Sequence, residues 1–156
     1  MSPMRSAIIS IFLLFLSLTT NAQDKSVFVE IGGYAGFYSI NYQTPFEIKD
    51  IPLKLRLGVS AFPLDKNSGT LILFPIGLNY EIGTGQNRLD LGIGHTVTTS
   101  TLPSIHSQSN LSISFLRKTD EKFWYRVSYT PLISHWVDVQ FQHWVGISLG
   151  YKLENK

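Results

Sequence analysis

This sequence predicts an all-β fold, an antiparallel up-and-down transmembrane β-barrel of about eight strands, on three observations. The first is a strict two-residue alternation, cleanest in Leu53-Lys54-Leu55-Arg56-Leu57-Gly58-Val59-Ser60-Ala61. Successive side chains of an extended strand point to opposite faces, so the leucines, Val59 and Ala61 share one face while Lys54, Arg56, Gly58 and Ser60 share the other. The second is that most later segments repeat the pattern with glycine and charge together on the polar side, as a small barrel with a lipid-facing wall requires. A lipocalin-like soluble barrel has the opposite polarity, with apolar residues around a cavity and charges toward water. The third is an N-terminal run with Arg5, an uncharged core from Ala7 to Leu18, and Thr20-Asn21-Ala22 ahead of Gln23. This is the pattern of a signal peptide, and its core is short for a spanning helix. Residues 1–22 are therefore expected to be cleaved and residues 23–156 to form the barrel domain. A retained membrane anchor is the competing reading, opposed by the polar stretch at 19–26 and by the lack of a second long apolar run.

Composition narrows the class further. About 134 residues after the expected cleavage suit one domain. No later stretch reaches about 18 consecutive apolar residues, which excludes a helical membrane bundle. The chain has no cysteine, so disulfides, thiolate metal sites and a lipoprotein anchor are excluded. Its 13 basic and 11 acidic residues nearly balance, which gives no basis for a nucleic-acid partner.

Alternation and turn chemistry place strands near 27–33, 37–46, 53–62, 71–82, 88–98, 108–117, 123–132 and 142–153. The connections at 47–52, 83–87 and 118–122 are short, whereas those at 63–70, 99–107 and 133–141 are longer. In outer-membrane barrels short turns face the periplasm and long loops face outward, and here the two kinds alternate along the chain. The first two strands need a separate argument. Val27, Val29 and Ile31 are apolar at odd positions, but Tyr38, Ile40, Tyr42 and Phe46 are apolar at even ones, so the face changes parity within Gly32-Gly33-Tyr34-Ala35-Gly36. A hairpin with a two- or four-residue loop does this, using glycines for positive φ; a glycine bulge in one long strand does so too. The hairpin restores the even strand count usual in bacterial barrels.

The inward parity collects Glu30, Lys54, Arg56, Glu81, Arg88, Asp90 and Arg126. An eight-stranded barrel is just wide enough for side chains to fill, so these residues are expected to form an internal network, with Arg56 and Arg126 pairing with Glu81, Asp90 or Glu30. Outward aromatics Tyr42, Phe46, Tyr80, Phe123, Tyr125 and Tyr151 fall near the expected periplasmic strand ends, where an interfacial girdle belongs. His95 falls on the outward parity between Ile93 and Val97, an odd place for an imidazole, and is assigned no function. Trp136 and Trp144 make the third long loop apolar, and they are expected either to anchor at the outer leaflet or to meet an envelope or extracellular protein.

The chain resembles the small outer-membrane β-barrel proteins of Bacteroidota. The likeness rests on Glu30-Ile31-Gly32-Gly33 running into Phe37-Tyr38-Ser39-Ile40-Asn41-Tyr42, on Arg56-Leu57-Gly58-Val59-Ser60, on Pro75-Ile76-Gly77-Leu78-Asn79-Tyr80, on Tyr125-Arg126 with Tyr129-Thr130-Pro131, and on Gly146-Ile147-Ser148-Leu149-Gly150-Tyr151. The last segment also has the spacing of a barrel-assembly signal, which implies the barrel-assembly machinery as a partner during insertion and outer-membrane lipid as the final surroundings. It departs from that signal in ending on Leu153 and continuing through Glu154-Asn155-Lys156, and the second outer loop is shorter and Ser/Thr-rich. The resemblance implies a fold and a location, with no shared catalytic activity and no cofactor.

Two other functions compete with this reading. A lipid hydrolase would use Ser, His and a carboxylate. His106, Ser107 and Ser109 invite that comparison, but His106 and Ser109 have opposite parity and no outward carboxylate lies nearby in the sequence. His106, His135 and His143 could meet at the outer rim as metal ligands, although loop histidines are usually just solvated. No paired-carboxylate, zinc or phosphate-loop motif appears. A narrow channel would need a wider barrel or a missing plug. A structural or interaction role is the reading the sequence favours, with no enzymatic activity expected.

Overall fold

The structure is a computed structural model and describes residues 25–63, 69–100, 105–119, 121–135 and 139–153; the expected signal peptide and Trp136 lie outside these residues. Ten strand segments form a single antiparallel sheet. They are β1 (Ser26–Ile31), β2 (Tyr38–Ile48), β3 (Ile51–Pro63), β4 (Thr70–Ile82), β5 (Asn87–Ser100), β6 (Ile105–Lys118), β7 (Phe123–Tyr129), β8 (Leu132–His135), β9 (Val139–Gln142) and β10 (Val145–Lys152). First and last strands pair, with Val27 opposite Tyr151, and β5 pairs with β6, so the sheet closes on itself.

The ten segments make eight barrel strands. On β6, Ile113 pairs with Tyr129 of β7 and Asn110 with Leu132 of β8, three residues apart on both sides, so β7 and β8 are one strand in unbroken register. The same holds for β9 and β10, because Leu132 pairs with Gln142 and Tyr129 with Val145. Pro131 interrupts the ladder because it has no N–H to donate. Its carbonyl still accepts from Leu111 N–H at 3.3 Å, and Thr130 N–H donates to the Trp144 carbonyl at 2.8 Å. The long loop expected at 133–141 is therefore corrected: strand pairing continues to His135 and resumes at Val139. The expected strand at 123–132 already passes through Pro131, and a proline at a barrel rim removes one hydrogen bond without changing the register.

The β2–β3 hairpin turns through Lys49 and Asp50, both at positive φ (46° and 67°), between the paired Ile48 and Ile51. Two central residues with φ > 0 match the twist of the flanking strands. The turns at this end are short, and Lys25 and Leu153 lie at the same end, joined by a 2.8 Å hydrogen bond from Leu153 N–H to the Lys25 carbonyl.

Residues 32–37 form the hairpin expected from the parity change, since Ile31 pairs with Tyr38. The loop has six residues rather than two or four, and it carries a single 3-10 turn, Gly33–Ala35. An even loop length keeps the flanking pair on one face, so the parity argument holds. Gly32 and Gly33 have φ of 76° and 66°, a backbone that folds the loop back inside the barrel. Tyr34 is buried in the lumen, with its hydroxyl 3.0 Å from Ser112 Oγ on β6 and its carbonyl accepting from Thr96 Oγ1 (2.9 Å) on β5 and Gln108 Nε2 (3.2 Å) on β6. Inward glycines on two adjacent strands make the space: a Cβ at Gly77 or Gly94 would stand 2.5 Å from Tyr34 Cε2, and one at Gly92 would collide with the hydroxyl.

The parity of every strand matches the expected assignment of inward and outward residues, with Glu30, Arg56, Asp90 and Arg126 fully buried and Ile40, Ile93, Ile113 and Leu149 exposed. Leu55, on the outward parity, is nonetheless buried; its cross-strand neighbours are Thr44 and Leu78.

The fit of Tyr34 against the glycines yields a coupling. Gly77→Ala is expected to destabilise the barrel by about 1–3 kcal/mol through overpacking. In a Tyr34→Ala background the cost should fall below about 1 kcal/mol. Urea titrations of the four proteins measure this, and an undiminished cost would place the clash elsewhere.

Candidate functional site

The closed wall surrounds a lumen filled in layers, and the charged side chains occupy two of them. In the central layer, Arg56 on β3 donates through Nη1 to Glu30 Oε1 (3.1 Å), through Nη2 to Glu30 Oε2, and through Nε to Asn41 Oδ1 (3.0 Å). Glu30 on β1 also accepts from Tyr34 N–H (3.2 Å) and Ser148 Oγ (3.2 Å). Across the lumen, Arg126 on β7 donates to Asp90 Oδ2 on β5 at 2.7 Å, and Asp90 Oδ1 accepts from Asn79 Nδ2 at 2.9 Å. These four charges are at most 1% exposed.

Aromatic rings complete the shell around the cations. The Arg56 guanidinium carbon lies 4.1 Å from the Tyr34 ring centroid and 4.9 Å from that of Phe28; the Arg126 carbon lies 4.9 Å from Phe28 and 5.3 Å from Trp124. Phe28 and Trp124 stack at a tilt, 5.1 Å apart, and with Leu116 make a small apolar layer. Gly150 accommodates the Trp124 indole, since a Cβ there would collide with it. The guanidiniums thus meet carboxylates for charge and ring faces for packing, a combination suited to arginine's planar cation.

A second charged layer lies toward the end that carries Lys25 and Leu153. Glu81 on β4 accepts from Lys54 on β3, from Arg88 Nη1 on β5 (2.9 Å), and faces Lys118 Nζ on β6 at 3.5 Å. All seven inward residues expected from the alternation thus meet in three clusters: Arg56 with Glu30, Arg126 with Asp90, and Glu81 with Lys54 and Arg88. Lys118, read in the sequence as the start of a turn, is an inward strand residue and joins the third cluster.

The outer wall carries the residues expected to form the girdle. Tyr80, Phe123 and Tyr151 are exposed, Tyr42, Phe46 and Tyr125 are half-buried, and Phe123 packs edge-on to Tyr151 at 5.1 Å. A concavity of about 430 Å³ lies on this wall, with Val27, Val29, Leu149 and Tyr151 among its lining. Toward the opposite rim, Tyr38, Phe74, Tyr129 and Phe141 are exposed as well, a second set of outward aromatics. Trp144 is corrected from loop to strand break: it lies between β9 and β10, half-buried, edge-on to Phe37 at 6.2 Å, with Phe37 stacked on Phe62 at 4.3 Å. It packs over the inward hairpin instead of projecting from a loop.

The described histidines lie apart on different faces of the barrel. His95 is exposed on the outward face with Nδ1 3.2 Å from Ser109 Oγ, its cross-strand neighbour. His106 is on the inward parity, opposite to Ser109, and pairs with Thr98 across the ladder. His143 meets Tyr129 and Phe141. Among the described residues no three His, Cys, Asp or Glu side chains gather as a metal site.

Tyr34, Phe28, Leu116 and Lys118 are the lumen residues that sequence reading missed. A signal for Tyr34 did exist: Gly77 and Gly94 are direct cross-strand partners, and Gly92 pairs with Asn79 on the same inward face. Such a patch without side chains needs something to fill it. Comparison of the chain with protein-family models, with curated proteins and with solved structures returned no match.

The central pair gives a direct test. Arg56→Met leaves the Glu30 carboxylate buried without its main counter-charge and is expected to cost about 3–5 kcal/mol. Adding Glu30→Leu should recover most of that loss, since replacing a whole buried pair by apolar residues is often neutral. Denaturant titration of the two variants measures both; a double variant as unstable as the single one would contradict the assigned pairing.

Proposed function

We propose that this chain is an integral β-barrel protein of a Gram-negative outer membrane, with a structural or interaction role and a sealed interior. The observation that carries the reading is inverted polarity. Among the described residues, buried polar and charged side chains outnumber buried apolar ones by eighteen to ten, while exposed Val, Ile, Leu, Phe and Tyr come from nearly every strand. A contiguous apolar surface this extensive is foreign to a monomer in water and natural to a wall in lipid. The strands β3 to β6, of 13 or 14 residues, exceed the 9–11 that a tilted strand needs to cross a bilayer. Aromatics toward both rims suit the two interfaces of such a membrane.

In this orientation Lys25, Leu153 and the short turns face the periplasm, and the inward hairpin at residues 32–37 closes the lumen from the outer side. Tyr34 and the paired charges below it fill the section that a channel would leave open, which favours a sealed barrel over a pore. The aromatic rim around Phe37, Phe62 and Trp144 is the surface available to an envelope or extracellular partner.

Expression in a Gram-negative host tests this. The protein should fractionate with outer membranes, migrate differently on gels before and after heating, and give no stable conductance when reconstituted in planar bilayers. Recovery as a soluble periplasmic species of unchanged mobility would overturn the membrane reading, and steady ion conductance would overturn the sealed interior.

A further inference from the structure

We propose that the vestibule at the Lys25 end of the lumen binds a small oxyanion of the phosphate class through Lys54, Arg88 and Lys118. The argument begins with charge balance inside the barrel. In the central layer each arginine has its own carboxylate, Arg56 with Glu30 and Arg126 with Asp90. In the vestibule three cations converge on the single carboxylate of Glu81. The excess of positive charge among the described lumen residues is therefore concentrated at this one mouth.

The surroundings make that excess consequential. Leu116 and Trp124 line the inner side of the vestibule, so the cations sit against an apolar floor where their mutual repulsion is less screened than in water. They remain reachable, with side chains 14–26% exposed while Glu81 is 7% exposed. The cleft is bordered by Lys54, Glu81, Lys118 and Lys152 with Ser26 and Gln43, and its space of about 10 Å³ admits one water-sized group, such as a single phosphate oxygen, while Arg88 stands outside the lining. Glu47, Asp50 and Glu121, the described carboxylates on the turns at this end, are exposed at the rim.

The geometry is also pre-formed. Lys54, Glu81, Arg88 and Lys118 come from four consecutive strands, β3 to β6, whose register is set by the ladders that pair Lys54 with Asn79, Glu81 with Asp90 and Arg88 with Leu116. A fixed arc of two ammonium groups and one guanidinium offers several donors to an anion with several acceptor oxygens. A phosphate oxygen entering the cleft would neutralise the excess that Glu81 alone leaves.

The site depends on the closed barrel and not on membrane location, so it is tested on full-length protein refolded in non-ionic detergent, with folding verified by the heat-dependent gel shift. Inorganic phosphate is titrated at constant ionic strength, with chloride as the balancing salt, and followed by calorimetry. Saturable binding is expected, weakened about tenfold or more by Lys118→Gln and largely retained by Lys118→Arg, as for loss of one charge-assisted hydrogen bond. Lys118 is chosen because Glu81 keeps Lys54 and Arg88 in that variant. Repeating the titration in phosphatidylcholine and phosphatidylglycerol vesicles distinguishes the source of the phosphate group. Equal binding in both points to a soluble phosphate compound, and suppression in phosphatidylglycerol points to a lipid headgroup already in place. Heats indistinguishable from those of chloride, or binding undiminished in Lys118→Gln, would overturn the proposal.

Discussion

The Glu30 carboxylate is the junction on which the rest of the barrel depends. It belongs to β1, and it accepts from Arg56 on β3, from Ser148 on β10 and from the backbone of Tyr34 in the inward hairpin. One buried anion thereby ties the closing seam of the sheet to β3, two strands away, and to the segment that fills the lumen. A charge held at 1% exposure is tolerable only when its lone pairs are met by donors, and here four donor atoms from three elements converge on it. The narrowness of an eight-stranded barrel is what makes this possible, because side chains from facing strands can reach each other across the lumen.

From that junction the filling follows a simple order. Arginine planes require both carboxylates and ring faces, which brings Phe28, Tyr34 and Trp124 inward among polar neighbours. Large rings need room, which places glycine at positions 77, 92, 94 and 150 opposite them. The glycines that sequence reading took as a general mark of the barrel's inner face are thus particular: each sits where a specific ring or side chain arrives. The outward face obeys no such detailed constraint, and its aliphatic residues repeat with little regard to their partners.

Legibility in the sequence divides along the same line. Alternation with period two exposed the faces of all eight strands and the hairpin at residues 32–36, since parity is a local property of the chain. It collected the seven charged lumen residues but left the partners of Arg56 and Arg126 open among Glu30, Glu81 and Asp90, because pairing depends on height within the barrel, which accumulates over several registers. Tyr34 could not be read as a lumen residue from its own position, because a loop has no parity from which to read direction; only the glycines at 77, 92 and 94 marked the space it fills. Phe28 and Leu116 were missed for a different reason: an apolar residue on an inward parity carries no warning that it faces charges. The pairing beyond residue 132, through His135 and again from Val139, was not read in the sequence, because it depends on the neighbouring ladders rather than on local turn chemistry.

The central claim is that the exposed aliphatic wall faces lipid and the buried charges face a filled lumen. Ile113, 58% exposed at mid-strand on β6, discriminates most directly, because in water an exposed isoleucine tolerates charge. The decisive measurement is the unfolding free energy of Ile113→Arg in phospholipid vesicles relative to the unaltered protein. A loss of about 2–4 kcal/mol is predicted for an arginine near the bilayer midplane. A change within about 0.5 kcal/mol, as for an ordinary solvated surface position, would contradict the account.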